Sequence, residues 1–175
     1  VLELPDCRLI LMDTPGHVDF SAEMERTMQI LDYAILVVSG PDGVQGHTHT
    51  LWSLLRRYQI PAFLFINKMD LPGPGREALL AQLRQELSPD CPDMDAPDAM
   101  EQLALCDEAL MEQFLETGTL SDGQIARLIR ARRVFPCYFG AALRGEGVDL
   151  RAATVWAAFG TYDWDSLVTR EQGHY

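Results

Sequence analysis

Lysine is almost absent from this chain: Lys68 is the only one, and lysine and arginine together number 14 against 26 aspartates and glutamates, a formal net charge of -12 at pH 7. That balance excludes a broad basic face for gripping nucleic acid, because phosphate binding works through lysine and arginine displacing counterions. Any contact with RNA has to be local or acid-tolerant. The lone lysine also means that no Gly-x-x-x-x-Gly-Lys-Ser/Thr loop for cradling phosphates occurs within these residues. Cysteine is sparse and unpaired in sequence: Cys7, Cys91, Cys106 and Cys137 form no Cys-x-x-Cys, which suggests neither a zinc site nor a disulfide framework. They read as reduced, mostly buried thiols of a cytosolic protein. No apolar run approaches the roughly 20 residues of a membrane span, and no signal-peptide pattern precedes the first apolar segment.

What is present is one domain's length, 175 residues with 47% hydrophobic content, enough for a core if the necessary strands are all there. Three short apolar runs dominate: Arg8 to Met12, Tyr33 to Ser39 and Ala62 to Ile66. Continuous apolar runs of this length predict strands buried on both faces, as in a parallel sheet covered by helices. A fourth strand is expected at Val134 to Phe139, and Val1 to Leu4 reads as a strand joined to the Arg8 run through a Pro5-Asp6 turn. The chain opens on Val1 without a methionine, which reads as a start inside a domain.

Two of these runs end in chemistry. The first is followed by Asp13-Thr14-Pro15-Gly16-His17-Val18-Asp19. A carboxylate at the carboxyl end of a buried parallel strand lies where open α/β sheets bind ligands; it can hold a metal through water, and the Gly16 amide can approach a phosphate oxygen. The third runs into Asn67-Lys68-Met69-Asp70. An acid two residues past a lysine can accept from both the ring N-H and the exocyclic amine of guanine, a bidentate contact that adenine cannot match.

The first motif closely resembles the Asp-x-x-Gly segment of translational GTPases in its elongation factor G form, and the second resembles their Asn-Lys-x-Asp guanine motif. Among that group the chain looks nearest to the tetracycline-resistance ribosomal protection proteins. The resemblance implies that Asp13 serves a magnesium site, that Gly16 meets the γ-phosphate and that His17 positions the attacking water. It also implies that Asn67 ties loops together, that the Lys68 stem covers the base and that Asp70 reads it. The family has Ser-Ala-Leu or Ser-Ala-Lys after its last strand, whereas Ala141-Ala142-Leu143 stand here, so the serine's support is lost while the backbone contact from Ala142 survives. Gly145-x-Gly147-Val148-Asp149 again fits.

The remaining segments read as helices and loops. Ser21 to Leu31 carries Met24, Met28 and Leu31 at helical spacing. Leu51, Leu54, Leu55 and Tyr58 mark the apolar face of a helix ended by Ile60-Pro61. The His47-Thr48-His49 that opens it could offer two imidazoles to a metal, but a surface helix start is the better reading, since such short motifs are weak. From Leu71 onward the prolines bracket a helix at Arg76 to Leu87 and an acidic loop through Asp90, Asp93, Asp95 and Asp98, read as solvated linker in preference to a calcium site. A single helix is expected over Met100 to Glu116, with Leu103, Leu110, Met111, Phe114 and Leu115 inward and Gly118 as its stop. Ser121-Asp122-Gly123-Gln124 is a capping box opening the next, through Arg133.

The expected fold is therefore α/β, a P-loop GTPase-type, mainly parallel sheet flanked by helices and truncated at its amino end. The partial GTP-binding domain spans residues 1–159, with a helical insertion at about 72–133 and a divergent tail at 160–175. The resemblance implies GTP/GDP and Mg²⁺ as ligands, the ribosome as partner of the parent protein, a cytoplasmic setting and no membrane association. Two other readings stand beside it: a non-catalytic fragment that binds a partner through its helical insertion, and a His-x-His metal hydrolase. The missing first strand further predicts that these 175 residues alone are marginally folded or self-associated and bind GTP at best weakly.

Overall fold

The computed structural model describes residues 2–3, 8–10, 12 and 28–141, with 2, 3, 8 and 9 described by their backbone. Its centre is a parallel three-stranded sheet in the order β3-β4-β5, made of β3 (Ala34–Ser39), β4 (Ala62–Asn67) and β5 (Cys137–Phe139). Ala34 pairs with Ala62 and Ser39 with Asn67, while Leu64 to Ile66 pair with Cys137 to Phe139. The runs Ala34-Ile35-Leu36 and Leu64-Phe65-Ile66 are buried, the mark of strands covered on both faces.

Helix α1 (Gly46–Arg57) returns the chain from β3 to β4, the crossover that a parallel pair requires. It packs Trp52 and Leu55 on the sheet, and the Trp52 indole N-H donates to the Leu87 carbonyl at 3.0 Å. Four helices separate β4 from β5: α2 (Arg76–Glu86), α3 (Ala99–Ala104), α4 (Glu108–Thr117) and α5 (Asp122–Arg130). Leu79 and Leu83 of α2 join the sheet core. Leu103, Leu128, Ile129 and Val134 build a second cluster with Leu110, Met111 and Phe114 against it. Met28 and Leu31, from the end of the segment expected as a helix, also pack on the main core. The rest of that segment lies outside the described residues.

Three expectations are corrected. The run from Arg8 contributes β2 (Arg8–Leu9), which pairs antiparallel with β1 (Leu2–Glu3) in a separate two-stranded sheet, Leu2 opposite Leu9. Ile10 is 71% exposed, not buried, because among the described residues no strand joins this hairpin to the parallel sheet. The helix expected over Met100 to Glu116 is two helices. Asp107 breaks it by accepting from the backbone N-H groups of Ala109 and Leu110, capping a new helix, while Arg133 holds Asp107 at 2.7 Å. The new axis turns Leu115 outward, 74% exposed. Gly118 does end α4, in the left-handed conformation at φ 71°.

The acidic loop is the third correction. Asp93 is 6% exposed, and Cys91 and Pro92 beside it are buried. The Cys137 N-H donates to the Pro92 carbonyl at 2.8 Å and the Met94 N-H to the Cys137 carbonyl at 3.0 Å, so this segment runs as an added ribbon along β5. Its prolines and acids look like linker because the pairing partner lies more than 40 residues away in sequence.

Candidate functional site

At the carboxyl edge of the parallel sheet three loops converge: the one after β3 beginning at Gly40, the one after β4 holding Asn67-Lys68-Met69-Asp70, and the one after β5 at Gly140 and Ala141. Backbone hydrogen bonds bind them together. The Gly40 N-H donates to the Asn67 carbonyl at 2.7 Å, the Met69 N-H to the Gly140 carbonyl at 3.1 Å, and the Gly140 N-H to the Ile66 carbonyl at 3.0 Å. A ligand at this edge meets loops whose spacing the sheet itself sets.

Within the middle loop each residue has a distinct setting. Asn67 ends β4 and is buried, its side-chain oxygen accepting from the Lys68 N-H at 2.8 Å. Lys68 is half-buried and takes a left-handed backbone, φ 62°, which reverses the chain directly after the strand. The Leu71 N-H closes the turn on the Lys68 carbonyl at 3.1 Å and leaves Asp70 exposed at its tip. An exposed carboxylate at a turn tip is a pair of acceptors that fits a planar base with two adjacent N-H groups. Ala141 is buried behind it. Gly40 is required by packing: a Cβ there would stand 2.9 Å from the Met69 sulfur and 3.0 Å from the Asn67 carbonyl oxygen.

Asn67, Lys68, Asp70 and Ala141 are thus brought to one edge. Asp13, Gly16, His17, Ala142 and Leu143 lie outside the described residues. His47 and His49 fall in the first turn of α1, with the His49 ring 2.8 Å from Glu86 of α2; no cluster of three or more metal-ligating side chains occurs among the described residues. Hydrogen bonding from Gln82 is the chief cause of a lowered Glu86 pKa, and His49 adds to it.

Sequence reasoning missed the ionic group beside the site. Arg76, first residue of α2, donates from Nε to Asp93 Oδ2 at 2.6 Å and from Nη2 to both Asp93 Oδ1 and Asp95 Oδ2, the latter at 2.8 Å. Its guanidinium carbon lies 4.5 Å from the centroid of the Phe139 ring. The hydrogen bond to Asp93 raises the arginine pKa above its ordinary value, against the opposing effect of burial. Partners 17 residues apart leave no periodic trace in the sequence.

A parallel sheet crossed by helices, with an Asn-Lys-x-Asp turn held between two loops at its carboxyl edge, is the α/β architecture of the GTPase class. Comparison with known proteins then narrows the class. The chain belongs to the family of the elongation factor Tu GTP binding domain, whose model matches residues 2–162. It is 37% identical to the oxytetracycline resistance protein of Streptomyces rimosus over 83% of this chain and 26% of that protein. Identity is 35% to tetracycline resistance protein TetM of Streptomyces lividans, over 82% and 26% of the two chains, and 34% to TetW of Butyrivibrio fibrisolvens, over 81% and 25%. The chain therefore spans about a quarter of the length of these relatives. In fold it is similar to the crystal structure of ttk003000868 from Thermus thermophilus, with TM-score 0.65 and 22% identity over 81% of this chain and 28% of that one.

Proposed function

We propose that this chain serves as the GTP-binding and GTP-hydrolysing domain of a longer, cytoplasmic, ribosome-associated factor of the elongation factor G and tetracycline-resistance ribosomal protection type. The observation that carries the reading is the Asn67 to Asp70 turn, held by backbone hydrogen bonds between the Gly40 and Gly140 loops at the carboxyl edge of the sheet. The names of the relatives, each a tetracycline resistance protein, support the setting. Residues 1–159 form the domain in this proposal, with 72–133 as its helical insertion and 160–175 as a tail.

Each residue has a chemical task. Asp70 accepts from the ring N-H and the exocyclic amine of guanine, the Lys68 stem covers one face of the base, and Asn67 holds the turn. The resemblance assigns the backbone of Ala141, Ala142 and Leu143 to the base carbonyl. By the family resemblance Asp13 would hold magnesium through water, Gly16 would offer its amide to the γ-phosphate and His17 would orient the attacking water for in-line displacement. Magnesium supplies charge neutralisation at the phosphates when bound.

Selectivity tests this. In the full-length protein, Asp70→Asn should weaken GTP and favour xanthosine triphosphate, whose ring carries an oxygen where guanine carries the amine. Competition binding with both nucleotides is the measurement, and an unchanged preference for GTP would remove the assignment of Asn67 to Asp70. A second reading, partner binding without nucleotide, draws on the absence of a phosphate-cradling loop from these residues. It expects no guanine nucleotide binding by these 175 residues alone in a binding assay.

A further inference from the structure

We propose that Arg76 is a positioning residue for guanine recognition, holding the loop that carries Asp70 and the loop that carries Ala141 in one frame. The inference rests on the reading of Asn67 to Asp70 as a guanine site and adds a residue to it. Asp70 is followed by Leu71-Pro72-Gly73-Pro74-Gly75, five exposed residues outside any helix or strand, and Arg76 is the next residue. Its guanidinium lies on Phe139, two residues before Ala141, and forks onto Asp93 and Asp95. The Met69 N-H bond to the Gly140 carbonyl completes a closed ring of contacts: Asp70, the exposed loop, Arg76, Phe139, Gly140, Met69. Opening the ring at Arg76 frees the far end of the loop that presents the carboxylate.

The chemistry of the clamp suits positioning. Asp93 is buried, takes the two nitrogens of Arg76 side-on and also accepts from the Asp95 N-H at 3.1 Å, so its orientation is determined from two directions. Asp93 bridges Cys137 at the start of β5, which makes the anchor part of the same strand that ends at Phe139. A planar guanidinium can fork onto a carboxylate and lie on a ring together; an ammonium cannot. Among the described residues the buried polar or charged side chains are Thr48, Asn67 and Asp93; Asn67 ends β4 at the site and Asp93 anchors Arg76.

Neutralising a buried carboxylate would be a merely structural role, and one experiment separates the two. GTP and inosine triphosphate, which lacks the exocyclic amine that Asp70 reads, are compared by competition binding in the full-length protein. The variants are Arg76→Lys, Arg76→Met and the double variant Arg76→Met with Asp93→Leu, which removes both charges and so restores the core. The expected result is a fall of about fivefold or more in the preference for GTP over inosine triphosphate in all three, while the double variant recovers the thermal midpoint lost by Arg76→Met. Amide exchange should also accelerate at Met69 in Arg76→Lys, with Leu64 and Ile66 unchanged. A wild-type preference in the double variant or in Arg76→Lys overturns the positioning role and leaves Asp70 as the guanine reader. Absence of any preference in the unsubstituted protein overturns the guanine reading itself, and this proposal with it.

Discussion

Replacing Arg132 by alanine should cost about 3–4 kcal/mol of stability, a figure that follows from its contacts taken one by one. Arg132 follows α5 and reaches back to the end of α1, donating from Nη1 to the Leu55 carbonyl at 3.1 Å and to the Ile60 carbonyl. The Leu55 carbonyl also accepts the Ile60 N-H at 2.9 Å, so it keeps a partner when the arginine is removed and loses less than Ile60 does. A charged donor to a carbonyl contributes roughly 1.5–3 kcal/mol, which applies to Ile60, and a shared one about 0.5–1. The guanidinium carbon also stands 5.2 Å from the Phe135 ring and 5.9 Å from the Trp52 ring, each adding about 0.5 kcal/mol at such distances. Partial exposure of the side chain keeps the sum toward the lower half. Burial, with Arg56 nearby, lowers the pKa of Arg132, so the group is held charged at a cost that its carbonyl partners offset. The backbone supplies an internal control. Arg132 has φ 55°, where any residue with a Cβ is strained by roughly 1–2 kcal/mol. Arg132→Gly relieves that strain while losing the same contacts, so it should be less destabilised than Arg132→Ala by about 1 kcal/mol. Urea unfolding followed by circular dichroism, in a fixed background of trimethylamine N-oxide that keeps all variants in range, gives the three midpoints. A loss below about 0.5 kcal/mol for alanine, or glycine worse than alanine, would refute the reasoning.

Further outcomes are expected. In the full-length protein His17→Ala should leave GTP affinity nearly intact and slow ribosome-stimulated hydrolysis by about 10²-fold, on the scale of losing a positioning group; equal loss of binding and turnover would mean a structural histidine. The 175-residue chain taken alone should self-associate in light scattering and bind Mg²⁺-GTP weakly in calorimetry, because β3 ends its sheet, pairing with β4 alone among the described residues, and such edges recruit other chains. A monomer with a sharp thermal transition and micromolar affinity would contradict this. Native alkylation at pH 8, mapped by peptide mass, should modify Cys106 slowly, since burial raises its pKa, and Cys137 only on unfolding, since hydrogen bonding with Cys91 and burial raise its pKa further. Because the thiolate is the nucleophile, the Cys106 rate should keep rising above pH 9, where an ordinary thiol with pKa about 8.5 levels off. Equal rates at Cys106 and Cys137 would contradict the burial.

Some of this protein is written locally. β3 and β4 are legible because a strand covered on both faces must be apolar throughout, and Ala34 to Val38 and Ala62 to Ile66 are. The start of α5 is legible because Ser121 and Gln124 satisfy each other's backbone three residues apart. The guanine-site candidate is legible because its chemistry sits in four consecutive residues. What the tertiary structure decided depends on partners distant in the chain. The Asp93 carboxylate became a buried anchor because Arg76 and β5 came to it, the helix broke at Asp107 because capping and Arg133 outweighed apolar spacing, and Ile10 faced outward because no described strand pairs its hairpin with the parallel sheet. Composition and periodicity report what each residue prefers on its own helix or strand. Which charge meets which, and which edge finds a neighbour, are settled when segments tens of residues apart pack together.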